Sequence, residues 1–106
     1  MNLRSLADLR TAQAAAGNPY LEFLRSGSVS VGLYVVRAGE MDPQQPHAED
    51  EVYVVLSGRA RFTTGEETRY VATGDVIFVA AGVAHRFHDI SADLDLVVVF
   101  APPESG

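Results

Sequence analysis

The chain has 106 residues, with 14 Asp or Glu against 8 Lys or Arg, for a formal net charge of −6. A chain this short hides only about 60–65% of the surface its unfolded form exposes, so it holds one domain around one core. The absence of cysteine excludes disulfides, thiolate metal ligands and cysteine nucleophiles. An acidic balance without any Lys/Arg cluster argues against nucleic acid or an anionic membrane surface as partner.

The first residues carry a helical pattern. Leu3, Leu6, Leu9, Arg10 and Gln13 recur at helical spacing, Ser5 or Asn2 is available as the cap, and Gly17-Asn18-Pro19 supplies the stop. This predicts a short amphipathic helix over 3–16 that lays its leucines on the main body. Apolar, β-branched and aromatic segments alternate with turns from Tyr20 onward, which is the pattern of an all-β barrel or sandwich. The expected strands are Tyr20 to Arg25, Ser28 to Ala38, Glu51 to Leu56, Arg59 to Thr63, Glu67 to Val71, Val76 to Val79, His85 to Asp89 and Leu94 to Phe100.

The last of these is apolar at both parities, so it belongs inside the sheet or against a second subunit. With the leucine helix, it leads us to expect a symmetric homodimer. The run from Leu96 to Pro103, with Leu94 just before it, is far short of the roughly 20 residues that cross a bilayer. Met1-Asn2-Leu3-Arg4 has no signal-peptide pattern, and a cytoplasmic location without membrane contact is expected. The tail from Pro102 to Gly106 is expected to fray.

Reactive side chains are few: His47, His85, His88, the acidic cluster Glu49-Asp50-Glu51, and serines. His47 and Glu51 stand four apart where a loop meets a strand, and His85 and His88 open a later strand that an antiparallel barrel can bring alongside. Two imidazoles and a carboxylate on rigid strands form a facial triad suited to iron(II), manganese, nickel or zinc. A side-chain amide can add a weaker fourth ligand. Parity places Glu51, Tyr53 and Val55 on one strand face, with Val52 and Val54 opposite. His85 and Phe87 likewise point inward, and Arg86 and His88 point away. Glu49 and Asp50 read as a solvated acidic turn, with Glu49 a substitute ligand if the loop before Glu51 is short.

Gly39, Gln45, His47, Glu51 and Gly58 fall on the pattern G-x5-H-x-H-x3-E-x6-G, with Gln45 in place of the first histidine. Gly74, Gly82, His85 and Asp89 follow G-x5-P-x-G-x2-H-x3-N, with Ala80 for the proline and Asp89 for the asparagine. In both motifs the chain resembles the cupin superfamily, from Ser28 to Phe100. The resemblance implies a cupin double-stranded β-helix, that is, a jelly-roll barrel forming one domain over 1–106, usually as a homodimer. It also implies that His47, Glu51 and His85 are metal ligands. Gln45 stands at the remaining ligand position, where it either coordinates or faces water. Tyr53, Val55 and Phe87 are then expected to line a substrate pocket below the metal.

The function this implies is a metal-dependent enzyme for a small oxygenated substrate, with dioxygenase-type or isomerase-type chemistry. The alternative is a non-catalytic module that binds or senses a small molecule. Cupins carry out many reactions, and the fold alone does not choose among them.

Overall fold

The computed structural model describes residues 1–43 and 46–105. Helix α1 (Leu6–Ala16) is followed by strands β1 (Tyr20–Arg25), β2 (Ser30–Val36), β3 (Asp50–Thr64), β4 (Glu67–Ala72), β5 (Val76–Val79) and β6 (His85–Ala101). All pairings are antiparallel. The sheet order is β1-β2-β6-β3-β4, and β5 pairs with β3. No helix among the described residues is long and apolar enough to cross a membrane.

The helix is shorter than its leucines suggested. Ser5 takes the cap, its Oγ accepting from the Asp8 amide at 3.1 Å, so helical geometry begins at Leu6 and Leu3 stays 79% exposed. Gly17, at φ +77°, ends it. Leu9 is buried, and so is Leu33, which cross-strand pairing puts on the outer face of β2. The helix therefore covers the β1–β2 end of that face.

Two breaks expected from sequence are absent. Ser57-Gly58 and Ser91 to Asp93 read as turns, yet β3 and β6 run through them as a 15-residue and a 17-residue strand. The turn residues instead form irregularities in a continuing ladder, with register shifts between Val55 and Arg61. Gly58 sits at the bend with φ +109°, and a Cβ there would overlap the Asp93 carbonyl oxygen. Only glycine lets the two backbones pass this closely.

Inside the bent ladder the inward parity is uniformly buried. Tyr53, Val55, Phe62, Phe87, Leu94, Leu96, Val98 and Phe100 make up most of the core. The segment Leu94 to Phe100 lies within the sheet between β2 and β3. Its outward residues Val97 and Val99 are only half-buried, beside Val52 and Val54. Next to them on β5, Val76 and Phe78 are 67% and 63% exposed.

The bend gives a direct test. Gly58→Ala should lower unfolding stability by about 2 kcal/mol or more in urea titration. Gly27→Ala, where an added Cβ meets nothing within 4 Å, should change it by less than about 1 kcal/mol. Equal effects of the two substitutions would show that the passage at Gly58 is not a constraint.

Candidate metal centre

Two hydrogen bonds and the inward parity of two strands bring the candidate ligands together. The His47 carbonyl accepts from the Gly82 amide at 2.7 Å, and Asp50 Oδ1 accepts from the Ala81 amide at 2.9 Å. The loop that carries His47 is thus tied to the turn that launches β6. Strand β6 begins with His85, turned inward, and β3 presents Glu51 to the same space.

His47, Glu51 and His85 each offer one ligand atom, all within 4.8 Å of one another. Glu51 Oε1 is 2.9 Å from His85 Nε2 and 4.0 Å from His47 Nε2. Atoms bound to a common ion at about 2.1 Å lie no more than about 4.2 Å apart, so small side-chain adjustments close the set. Glu51 is 1% exposed, and neither of its carboxylate oxygens makes a well-formed hydrogen bond among the described residues. His85 Nδ1 donates to the Val83 carbonyl at 2.8 Å, which fixes the tautomer and leaves Nε2 as an acceptor. That nitrogen and a Glu51 oxygen, both electron-rich and 2.9 Å apart in a buried site, favour a cation or a proton between them. The residues fit a divalent ion.

Where no metal is bound, this pairing favours a proton on His85. Burial alone would push the His85 pKa down, but the Glu51 carboxylate and the Val83 carbonyl outweigh it, and the net shift is upward from 6.5. The Tyr53 hydroxyl approaches the same Nε2 at 3.1 Å.

The other expected residues fall into place differently. Gln45 lies outside the described residues. His88 faces away from the site, with Nε2 on Thr63 Oγ1 at 2.7 Å and Nδ1 near Asp89 at 3.2 Å. Asp50 is exposed, but Glu49 is not the solvated residue expected: it is 4% exposed and accepts from Ser105 Oγ at 2.9 Å. Tyr53, Val55 and Phe87 are buried in the core rather than lining the cavity beside the ligand group. The reason is aromatic packing. The rings of Phe62 and Phe87 lie 4.6 Å apart and those of Tyr53 and Phe87 5.0 Å, so the space beneath His85 is filled.

The open space lies on the β1–β2 side. It is a cavity of about 160 Å³ with Tyr20, Tyr34, Pro43, Val98 and Phe100 as walls, and His47, Glu51 and Glu104 as its polar side. Sequence reasoning missed Tyr20, Asp42 and Glu104. Asp42 is buried, accepting from the Tyr34 hydroxyl at 2.6 Å and from the Phe87 amide at 2.9 Å. The tail expected to fray is instead anchored. The Glu104 amide donates to Ser30 Oγ at 3.0 Å, its carbonyl accepts from Arg25 at 2.8 Å, and its carboxylate lies 3.6 Å from His47 Nδ1. Burial pushes the Glu104 pKa up, against the pull of His47.

An antiparallel barrel with a buried two-histidine, one-carboxylate group at its mouth is a jelly roll with a group that could hold a metal ion. Residues 32–101 match the Cupin domain family, and the chain belongs to it. It is 57% identical over 100 residues to the Streptomyces coelicolor protein SCO3923, whose function is uncharacterized, covering 94% of this chain and 95% of that one. Its structure is similar to that of TT1209 from Thermus thermophilus, with a TM-score of 0.74 and 28% identity, over 97% of this chain and 99% of that one. It also shares the fold of the DMSP lyase DddQ from Ruegeria pomeroyi, at a TM-score of 0.71 and 21% identity, over 95% of this chain and 66% of that one.

The His85 shift sets a pH dependence for protein stripped of metal by a chelator. A raised folded pKa means that the proton bridge stabilises fully below about pH 6.5, and that this contribution is lost as pH rises through the higher folded value. The urea midpoint should therefore fall as pH climbs from about 6 to about 8. His85→Phe should flatten that slope; an unchanged slope would place the titrating group elsewhere.

Proposed function

We propose that the protein is a metal-dependent cupin enzyme that acts on a small oxygenated molecule. The observation that carries this reading is the buried, unpartnered Glu51 carboxylate between two imidazoles. His47 Nε2, a Glu51 oxygen and His85 Nε2 would hold the ion. Iron(II), manganese, nickel and zinc all suit that donor set. Gln45 is a candidate fourth ligand on its motif spacing. When bound, such an ion supplies Lewis acidity at an oxygen atom of the substrate.

The chain's own groups do the rest. Val83 holds the His85 ring in the tautomer that presents Nε2. Tyr34 and Phe100 form an apolar wall that keeps water from the substrate side, and Tyr34 has its own hydroxyl committed to Asp42. That the Ruegeria protein of this fold is a lyase supports an enzymatic reading over a purely structural one.

The first experiment is elemental analysis of protein purified without a metal-binding tag. Anaerobic iron(II) reconstitution then follows, with oxygen uptake and product analysis over small diketones, enols and sugar phosphates. His47→Ala and His85→Ala should each weaken metal binding at least about tenfold while the β-sheet circular dichroism is retained. Full metal stoichiometry in both variants would overturn the ligand assignment. Metal retained with every substrate returned unchanged would favour the binding module.

The same reading includes a second copy of the chain. The half-buried valines 52, 54, 97 and 99 continue into exposed Val76 and Phe78, and α1 covers only the β1–β2 end of this face. A two-fold partner presenting the same patch would cover it. Val97→Asp should convert a dimer to monomer or aggregate by light scattering. A monomer for the unaltered protein at micromolar concentration would remove this part.

A further inference from the structure

One polar atom of the cavity is left unused by its surroundings. Tyr20 and Tyr34 are cross-strand partners, so their rings share the inner face of β1 and β2. Gly32, on the same face of β2, has no side chain, and a methyl group there would overlap the Tyr20 ring and hydroxyl. The glycine thus lets the phenol end of Tyr20 lie across β2, edge-on to Phe100 with ring centroids 6.3 Å apart. There the Tyr20 hydroxyl is buried without a hydrogen-bond partner among the described residues. Burial, with Glu104 nearby, holds its pKa well above the usual phenol range, so it keeps its proton as a donor. A buried donor with no acceptor is disfavoured, and a ligand oxygen in the cavity would satisfy it.

Charge and size narrow the ligand further. Glu51 and Glu104 line the cavity, and among the described residues no Lys or Arg does. With a divalent ion at the three ligands, these two carboxylates balance its charge, and a dianion finds no net attraction. A volume of about 160 Å³ is near that of an apolar protein cavity that takes up benzene, roughly six non-hydrogen atoms.

Resting on the metal-centre reading above, we propose that the cavity takes a small oxygenated ligand, neutral or singly negative, that accepts a hydrogen bond from Tyr20, and that Glu104 turns away phosphates and other dianions.

The test uses the full chain loaded with cobalt(II) at about pH 8, titrated with acetylacetone and separately with inorganic phosphate, and followed by the visible absorption of the cobalt. The unaltered protein should respond to acetylacetone and not to phosphate over the same concentration range. Tyr20→Phe should weaken acetylacetone binding about tenfold while the Tm stays equal or rises, because the substitution deletes an unsatisfied hydroxyl. Glu104→Gln should bring in a phosphate response. Acetylacetone binding unchanged in Tyr20→Phe, as expected if an ordered water alone meets the hydroxyl, would overturn the inference. So would phosphate binding at least as tight as acetylacetone in the unaltered protein, no response to acetylacetone at all, or no gain of phosphate response in Glu104→Gln. In each of these cases cobalt uptake leaves the metal centre standing. Failure to take up cobalt overturns the metal reading and this inference together.

Discussion

Closure of the β3–β6 ribbon on itself is the constraint from which the site follows. In that ladder Glu51 pairs with Phe100 and His85 with Thr64, so the two ligands belong to opposite ends of the pairing. Were β3 straight, those ends would stand roughly 40 Å apart. Instead Glu51 Oε1 and His85 Nε2 are 2.9 Å apart. The ribbon has to roll through a full turn, and the register shifts around Gly58 are where the ladder takes up that curvature. The meeting of these two candidate ligands is thus a by-product of barrel closure. Their placement is rigid for the same reason that the core is rigid.

Two buried carboxylates near the barrel mouth show what separates a structural acid from a functional one. Asp42 has one oxygen on the Tyr34 hydroxyl and the other on the Phe87 amide, and it pins the loop before β3 to the barrel. Its charge is met by fixed donors, which is how proteins ordinarily bury an acid. Glu51 is more deeply buried and has no such donors among the described residues. Its neighbours are two imidazoles, one of them held with its lone pair toward the carboxylate. A group left in that state is poised for a positive charge from outside the chain.

Much of this was legible in the sequence, because spacing encodes parity. His47, Glu51 and His85 stood on motif positions, and alternation along β3 and β6 put Glu51, Tyr53, Val55, His85 and Phe87 inside. What alternation could not supply was which inward residues face empty space. Tyr53, Val55 and Phe87 obey the inward rule, yet ring packing with Phe62 closes the volume around them. Tyr20 enters the cavity wall because a glycine on the neighbouring strand makes room, which is a relation between strands and not a pattern within one. Ser57-Gly58 misled for a related reason: a positive-φ glycine reads alike in a turn and in a bulge. Glu49, placed in solvent by its acidic neighbours, is buried because the tail comes down on it at Ser105.

That tail changes what the barrel is. Without it, the ligand group would sit at an open mouth, in contact with water on the β1–β2 side. Arg25 and Ser30, near the ends of the first two strands, hold the backbone at Glu104, and its side chain becomes part of the cavity lining next to His47. The same segment therefore supplies a wall, a charge and a neighbour for a metal ligand. The Glu104 carboxylate lies 3.6 Å from Nδ1 of His47, as the Val83 carbonyl lies against Nδ1 of His85. Of these two neighbours, Glu104 lies outside both motifs. In this chain the candidate ligands come from the barrel, while the shape and charge of the cavity beside them come from β1, Gly32 and the C-terminal tail.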